Sequence, residues 1–398
     1  MKINLAVIFG GSSVEHEVSV ISAVQAMHSL DKEKYEIYPV YITKKNEFYT
    51  GHVLFDIENY KDMDLLLRNA KRVIFTKDKS DAYLECYPAR IFGKNKIARI
   101  DVALPIVHGT NVEDGILQGY LETLEIPYAG CDVLSSAVCM DKYVMKIMLK
   151  EAGVNVLPGF CFRTKDFDMD PAGILDKIEL EIGYPAIVKP VNLGSSVGIK
   201  VAYDRQGLEA ALENAASYAG RILVERAITN LREINCSVLG DYMTARPSVC
   251  EEPLTGGEIL SYADKYMSGG KSTKGSEGMS SAQRKIPAEL TDEQRETIEN
   301  MAVKTFRVLG CAGVSRIDCM IDNDTGEIFV NEINTIPGSL SFYLWEPTGV
   351  PYNELLDELI DIAVKRDREK KELSFSYDTN LLSFNSLSGL KGAKGTKN

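Results

Sequence analysis

The side chains best suited to chemistry gather in VSRIDCMID-NDTG-EIFVNEIN, residues 314–334 of this 398-residue chain. Its Asn-, Asp- and Gly-rich centre is a turn signal between two strand-like runs. Side chains alternate faces along a strand, so Arg316 shares a face with Asp318, and Glu332 with Asn334. A register that pairs Asp318 with Glu332 also pairs Arg316 with Asn334. Two carboxylates, an amide oxygen and a guanidinium then line one patch. Such oxygen ligands suit Mg2+, which keeps several waters and bridges phosphates. The alternative is a solvated hairpin face. The apolar remainder of both strands argues for burial, where a carboxylate pair needs a cation. The chain continues as TIPGSLSFYLWE, turning at Pro337-Gly338 and running through small polar residues to its only Trp.

Phosphates need a different constellation. IVKPVNLGSSVGIKV, residues 187–201, reads as strand, loop, strand. Lys189 stands at the end of the first strand, and Gly194 and Gly198 bracket Ser195 and Ser196. Glycines let backbone N–H groups approach phosphate oxygens closely. No GK[ST] follows and no helix opens, so this is not a Walker loop, and GxGxxG is absent. A plain hairpin turn is the competing reading. Lys142, in MDKYVMK, is a second candidate phosphate cation, or else an exposed helix lysine.

The elements that must hold these residues alternate in the first third. INLAVIFGG, YEIYPVYIT and DVALPIVHG read as strands; VSVISAVQAMHSL and ILQGYLETL read as helices. That is βαβ punctuation, which predicts a parallel, doubly wound sheet with active residues at strand carboxyl ends such as VIFGGSS and PIVHGTNVEDG. DKYVMKIMLKEAG is a helix stopped by Gly153. YPAIVKP, GIKVA, RILVERAI, INCSVLG and TARPSVCEE are strands, with RQGLEAALENAASYA helical between the second and third. TDEQRETIENMAVKTFRVLG carries a Thr291/Gln294 capping box and ends at Gly310. Gly, Ser and Lys dominate 261–285, a long loop of the kind that forms a functional lid or stays disordered. The expected units are 1–141, 142–230, 231–376 and a loose tail, 377–398.

Composition narrows the class. The chain is 45% hydrophobic and 26% charged, ordinary for a globular protein. A net charge of −12 argues against general nucleic-acid binding. No apolar run is long enough to span a membrane, and the N-terminus lacks signal-peptide features. The eight Cys form no CxxC and have no neighbouring His, the pattern of buried thiols in a reducing cytosol.

Taken together, VIFGGSSVEHEVSVISA, HGTNVEDGILQGYLETLEIPYAG, MDKYVMK, YPAIVKPVNLGSSVGIKV, RIDCMID and VNEINTIPG resemble the D-alanine–D-alanine ligase family, from about residue 3 to about residue 365. The resemblance implies an α/β chain, α+β in its ATP-binding part, with the ATP-grasp fold behind a Rossmann-like N-terminal domain. It implies ATP, two Mg2+ ions (Mn2+ in their place at need), D-alanine, and a cytoplasmic homodimer serving peptidoglycan synthesis. By resemblance, Lys142, Lys189 and Ser196 meet phosphates. Glu225, Arg226 and Ile228 meet adenine, Glu233 the ribose, and Lys265 the γ-phosphate. Asp318, Glu332 and Asn334 hold the metal. Arg316 and the Gly338 N–H face the oxyanion. Glu15 takes the first substrate's ammonium and joins Ser195 and Tyr266, and His108 lies near the reacting phosphate, or else is a satisfied histidine at a strand end. A capping box from Ser12 competes for Glu15. The chain departs from the family pattern at Val112, where Gly is common, and after Gly338, where GSLSFYLW is shortened. That alignment makes Ser341 the candidate for the second substrate's carboxylate, with Ser339 an alternative, and leaves D-serine or another D-amino acid open as that substrate. Ligases making D-alanyl-D-lactate tend to carry a lid His; here His occurs only at 16, 28, 52 and 108, so the depsipeptide is disfavoured.

Overall fold

The computed structural model describes residues 2–109, 111–194, 197–253 and 284–374. Three sheets organise them. In the first, β1 (Ile3–Gly10) lies between β2 (Tyr35–Ile42) and β7 (Val102–Ile106), parallel to both. The expected parallel sheet is confined to these three strands. Beyond β2 run β3 (Phe48–Thr50), β4 (Lys71–Asp78), β5 (Asp81–Cys86) and β6 (Lys96–Ile100), each antiparallel to the one before. Only residues 79 and 80 separate β4 from β5, too few for a parallel crossover.

The second sheet contains β8 (Gly159–Arg163), β9 (Ala186–Pro190), β10 (Lys200–Ala202) and β11 (Arg221–Arg226), in the order 10-9-11-8. Its core, including Phe162, Ile178, Val188, Leu208, Leu212 and Val224, is its own. The third holds β12 (Leu231–Gly240), β13 (Arg246–Pro253), β14 (Arg284–Lys285), β15 (Gly313–Asp322) and β16 (Ile328–Asn334), in the order 14-13-12-15-16. Arg284 and Lys285, expected as the end of a loop, instead pair with Pro253 and Glu252 as an edge strand. The remainder of 261–285, and the tail from 377, lie outside the described residues.

Helix Asp292–Val308 packs on this third sheet, and both halves of its Thr291/Gln294 capping box are formed. The closing helix, Tyr352–Lys371, goes elsewhere. Its Leu355, Leu356, Leu359 and Ile360 join Leu340, Trp345 and the strands of the first sheet in one core. The N-terminal sheet and the C-terminal end of the chain thus share a hydrophobic interior, while the second sheet stands apart. Trp345 is almost fully buried, and its Nε1–H donates to Ser237 Oγ at 3.0 Å. Seven of the eight Cys are buried and all are free.

Candidate active site

The β15–β16 hairpin forms in the expected register, with Arg316 opposite Asn334 and Asp318 opposite Glu332. The patch is largely covered: the side chains of Arg316, Asp318 and Glu332 are 14%, 16% and 22% exposed. Arg316 grips Asp318 bidentately, Nε to Oδ1 at 2.6 Å and Nη2 to Oδ2 at 2.7 Å. Burial opposes the guanidinium's charge, but Asp318 outweighs it and holds the Arg316 pKa well above the ordinary value. Asn334 Nδ2 also donates to Asp318 Oδ2, at 3.0 Å. Among the described residues no group of three or more His, Cys, Asp or Glu side chains could hold a metal. The set here is two carboxylates and an amide, which fits a hard cation completed by phosphate oxygens and water. Turning the Asn334 amide about its axis presents its oxygen instead of its nitrogen.

Just past Asp318 the register slips by one residue, so Val330 faces Cys319 and Asn331 is the extra residue on β16. The bulge re-aims a side chain that simple alternation would send to the other face. Asn331 Oδ1 accepts from Lys189 Nζ at 3.0 Å. Lys189 also donates to Glu225 Oε2 at 2.8 Å, and Lys146 binds the other oxygen of the same carboxylate. Burial alone would raise the Glu225 pKa; the two ammonium groups reverse this and hold it below the usual carboxylate range. Burial pulls Lys146 down to about 8, although Glu225 works against it, and the like charge of Lys189 adds to the fall. The Glu225 carboxylate is therefore occupied, and only its backbone is left for an adenine. Ile228 packs by Leu157, Met320 and Phe329, an apolar slot beside it. Arg226 pairs with Asp322 at 3.2 Å, and Glu233 is half-buried on β12 opposite Met320.

Lys142 is not an exposed helix lysine. It is 6% exposed, donates to the Leu193 carbonyl at 2.7 Å and lies 3.1 Å from Glu332. It thus ties the glycine loop to the hairpin.

The N-terminal sheet supplies the opposite wall. Helix α1 (His16–Ser29) starts after Glu15, whose side chain makes no capping bond, so the Ser12 capping box does not form. The carboxylate fills space left by two glycines: a Cβ on Gly109 would lie 3.3 Å from Glu15 Oε2, and one on Gly194 3.5 Å away. Glu15, His108, Lys142, Arg316, Glu332, Asn334 and Gly338 line one pocket. His108 Nδ1–H donates to the Ile336 carbonyl at 2.7 Å. Burial lowers its pKa although Glu15 works against this, which favours the neutral ring.

Glu113 was not anticipated. Its carboxyl accepts from Gly109 N at 2.7 Å and from Ile336 N at 3.1 Å, bridging the two walls. Burial, then Glu15, push it up to about 8. A raised carboxyl keeps its proton in the folded state after the unfolded chain has lost it. Its contribution to stability is therefore full below the ordinary value of 4.5 and is lost as pH rises towards about 8. In divalent-free buffer, the thermal midpoint of Glu113→Gln relative to wild type is expected to climb between about pH 5 and pH 8. Parallel melting profiles for the two proteins would rule this out.

After Pro337-Gly338 the chain makes an unusual turn. Ser339, Leu340 and Ser341 have φ of 50°, 52° and 51°, three successive left-handed non-glycine residues. Each costs roughly 1–2 kcal/mol unless the surroundings enforce it. Ser339 Oγ donates to Gln25 Oε1 at 2.7 Å, which turns it away from the role weighed for it. Ser341 is fully buried, does not line the pocket, and its hydroxyl has no hydrogen-bond partner among the described residues. Tyr343 follows, its OH donating to Glu251 Oε1 at 3.4 Å, with the Arg284 guanidinium 4.4 Å from its ring centroid. Ser195, Ser196, Lys265 and Tyr266 lie outside the described residues.

Two family models match the chain: D-ala D-ala ligase N-terminus over residues 4–131 and D-ala D-ala ligase C-terminus over 148–361. A D-alanine–D-alanine ligase of Thermoanaerobacter sp. strain X514 is 41% identical, covering 93% of this chain and 98% of that protein. One from Thermosipho melanesiensis is 38% identical over 96% of this chain and 98% of its own length. Among solved structures, the VanG D-Ala:D-Ser ligase of Enterococcus faecalis is similar, with a TM-score of 0.75 and 31% identity over 91% of this chain and all of that one. The D-alanine–D-alanine ligase of Coxiella burnetii gives a TM-score of 0.74 at 28% identity, over 93% of this chain and 96% of that one. With the ATP-grasp fold of its structural neighbours and matches along nearly its whole length, this chain belongs to the D-alanine–D-alanine ligase family.

Proposed function

We infer that the protein joins two D-alanines into D-alanyl-D-alanine at the expense of ATP, for peptidoglycan precursor synthesis. The observation that carries this reading is the convergence on one pocket of Glu15, Arg316, Glu332, Asn334 and Gly338. A carboxylate is a poor acylating agent. Transfer of the γ-phosphoryl group to the first D-alanine's carboxylate, releasing ADP, turns that oxygen into a leaving group. The amine of the second D-alanine then attacks the acyl carbon, and phosphate departs from the tetrahedral intermediate.

Glu15 is suited to the first substrate's ammonium. Lys142 and Lys189 are suited to phosphate oxygens, with the adenine in the apolar slot of Ile228, Met320 and Phe329 and the ribose hydroxyls at Glu233. Arg316 and the Gly338 N–H would receive the charge on the tetrahedral oxygen, where prepositioned donors act most strongly. Asp318, Glu332 and Asn334 would hold Mg2+, or Mn2+ in its place. Bound there, the ion neutralises phosphate charge. Arg316 and Lys142 pair with the two carboxylates. No helix among the described residues is long and apolar enough to cross a membrane. A cytoplasmic homodimer is the assembly we propose.

A second reading keeps the chemistry and changes the acceptor: D-alanine joined to D-serine or another D-amino acid. The left-handed turn at 339–341, in the segment that shapes the acceptor pocket, favours testing it. Purified protein with Mg-ATP and pairs of amino acids, read by phosphate release and product mass, decides between the two. Release with D-alanine alone is the expected result. Release only with a mixed pair would overturn it.

A further inference from the structure

Glu15, Val18, Ser22 and Gln25 are spaced by three, four and three residues, which places them on one face of α1. Glu15 and Val18 line the active-site pocket. Ser22 and Gln25, about 10–15 Å further along the helix, bond the segment that follows the oxyanion donor. Ser22 Oγ accepts from the Ser339 N–H at 2.9 Å, and Gln25 Oε1 accepts from Ser339 Oγ at 2.7 Å. Ser22 is buried, and its hydroxyl can donate to His108 Nε2 at 3.4 Å, because the His108 Nδ1 proton is committed to the Ile336 carbonyl. The segment from Ile336 to Ser339 is therefore held to the N-terminal sheet on both sides of Gly338.

This attachment bears on conformation. Three left-handed residues in a row are unfavourable without external partners. Leu340 supplies one constraint by burial in the shared core. Within the turn the Leu340 N–H donates to the Pro337 carbonyl at 2.8 Å; among the described residues, Ser339 takes its polar constraints from α1. Remove them, and the turn is free to relax towards ordinary backbone angles, moving Gly338 and whatever the turn presents to the second substrate.

We propose that Ser22 and Gln25 are positioning residues: through Ser339 they hold the 338–341 turn, and so set the affinity and choice of the second substrate. The proposal rests on the ligase reading above. It makes acceptor selection a property of α1 as well as of the turn. The helix that has Glu15 at its N-cap position then also carries the anchor of the second-substrate wall.

The test compares two near-isosteric replacements. Gln25→Met removes the acceptor oxygen, and Gln25→Glu keeps one. Steady-state rates with D-alanine give the second-site KM, and mass spectrometry after competition between D-alanine and D-serine gives the acceptor ratio. Gln25→Met is expected to raise the second-site KM about tenfold, the equivalent of one lost hydrogen bond. It should also shift the acceptor ratio and leave the ATP KM unchanged. Gln25→Glu should restore both values. Ser22→Ala, read the same way, should follow Gln25→Met. An unchanged second-site KM and ratio in both Gln25→Met and Ser22→Ala would overturn the proposal. So would a parallel rise in ATP KM, or a Gln25→Glu protein as impaired as Gln25→Met. A wild-type protein that releases no phosphate with D-alanine, alone or paired with another D-amino acid, would sink the ligase reading itself and the proposal with it. An active wild type with an indifferent Gln25→Met sinks the proposal alone.

Discussion

Arg316→Lys is expected to lower kcat by roughly 100- to 1,000-fold, the usual cost of losing one oxyanion donor, while changing the ATP KM little. Arg316 has two tasks. Its Nε and Nη2 are committed to the two oxygens of Asp318. That leaves Nη1 for a developing oxyanion. Lysine keeps the charge but offers a single nitrogen on a flexible stem, so it cannot serve both partners. Because the charge stays, Asp318 is not stranded, and the folding penalty of roughly 3–5 kcal/mol for breaking a buried pair is avoided. The variant thus separates catalysis from stability. The ATP KM should hold because the lysines proposed for the phosphates, Lys142 and Lys189, have other partners. Steady-state phosphate release with a matched thermal melt is the measurement. A kcat within tenfold of wild type would remove Arg316 from the oxyanion role.

The second large effect concerns Glu225. It is fully buried and is shared by two ammonium groups, Lys146 and Lys189, which are themselves 5% and 4% exposed. Glu225→Gln removes the counter-charge of both cations and leaves Lys189 with Asn331. Removing one partner of a buried pair costs roughly 3–5 kcal/mol, so the thermal midpoint should fall by on the order of 10 °C. The ATP KM should rise at least tenfold, because Lys189 loses the partner that aims it. Lys146→Met added to Glu225→Gln should recover part of the stability by deleting a stranded charge, but not the ATP KM, since Lys189 is left with Asn331 in place of its carboxylate partner. In the wild type, the lowered Lys146 pKa has its own signature. The folded state sheds that proton near pH 8 and the unfolded chain near 10.5, so this group's contribution to stability rises with pH between the two, read as the difference between wild type and Lys146→Met. Additive effects of the two substitutions on stability would show that the carboxylate and Lys146 do not interact.

Much of the site was legible because its logic is local. Two strands joined by a short turn have few possible registers, and alternation fixes which side chains share a face. That sufficed to place Asp318 opposite Glu332 and Arg316 opposite Asn334. Helix ends marked by Thr291, Gly153 and Gly310 were legible for the same reason, since caps depend on near neighbours in sequence. The antiparallel strands between 48 and 100 were not, because their short, mixed runs lack a clear period and follow no βαβ rhythm.

The residues that were missed have distant partners. Asn331 reaches Lys189 only because a bulge breaks the alternation on which the reading depended. Lys146 looks like any helix lysine until the second sheet brings Glu225 to it. Glu113, Ser22 and Gln25 act on Ile336 and Ser339, which follow them by 223, 317 and 314 positions. Glu15 was ambiguous in sequence between a cap and a ligand, and the start of α1 shows no side-chain cap there.

By itself, then, the sequence determined the chemistry on offer: a hairpin lined by two carboxylates, an amide and a guanidinium, a lysine-flanked glycine loop, and the family whose motifs these are. The tertiary structure alone decided which charges are buried together, and that the turn after Gly338 is left-handed and held by α1. The physical reason is range. Strand alternation and helix capping act over a few residues, whereas burial and pairing energies depend on what the fold brings close from hundreds of residues away.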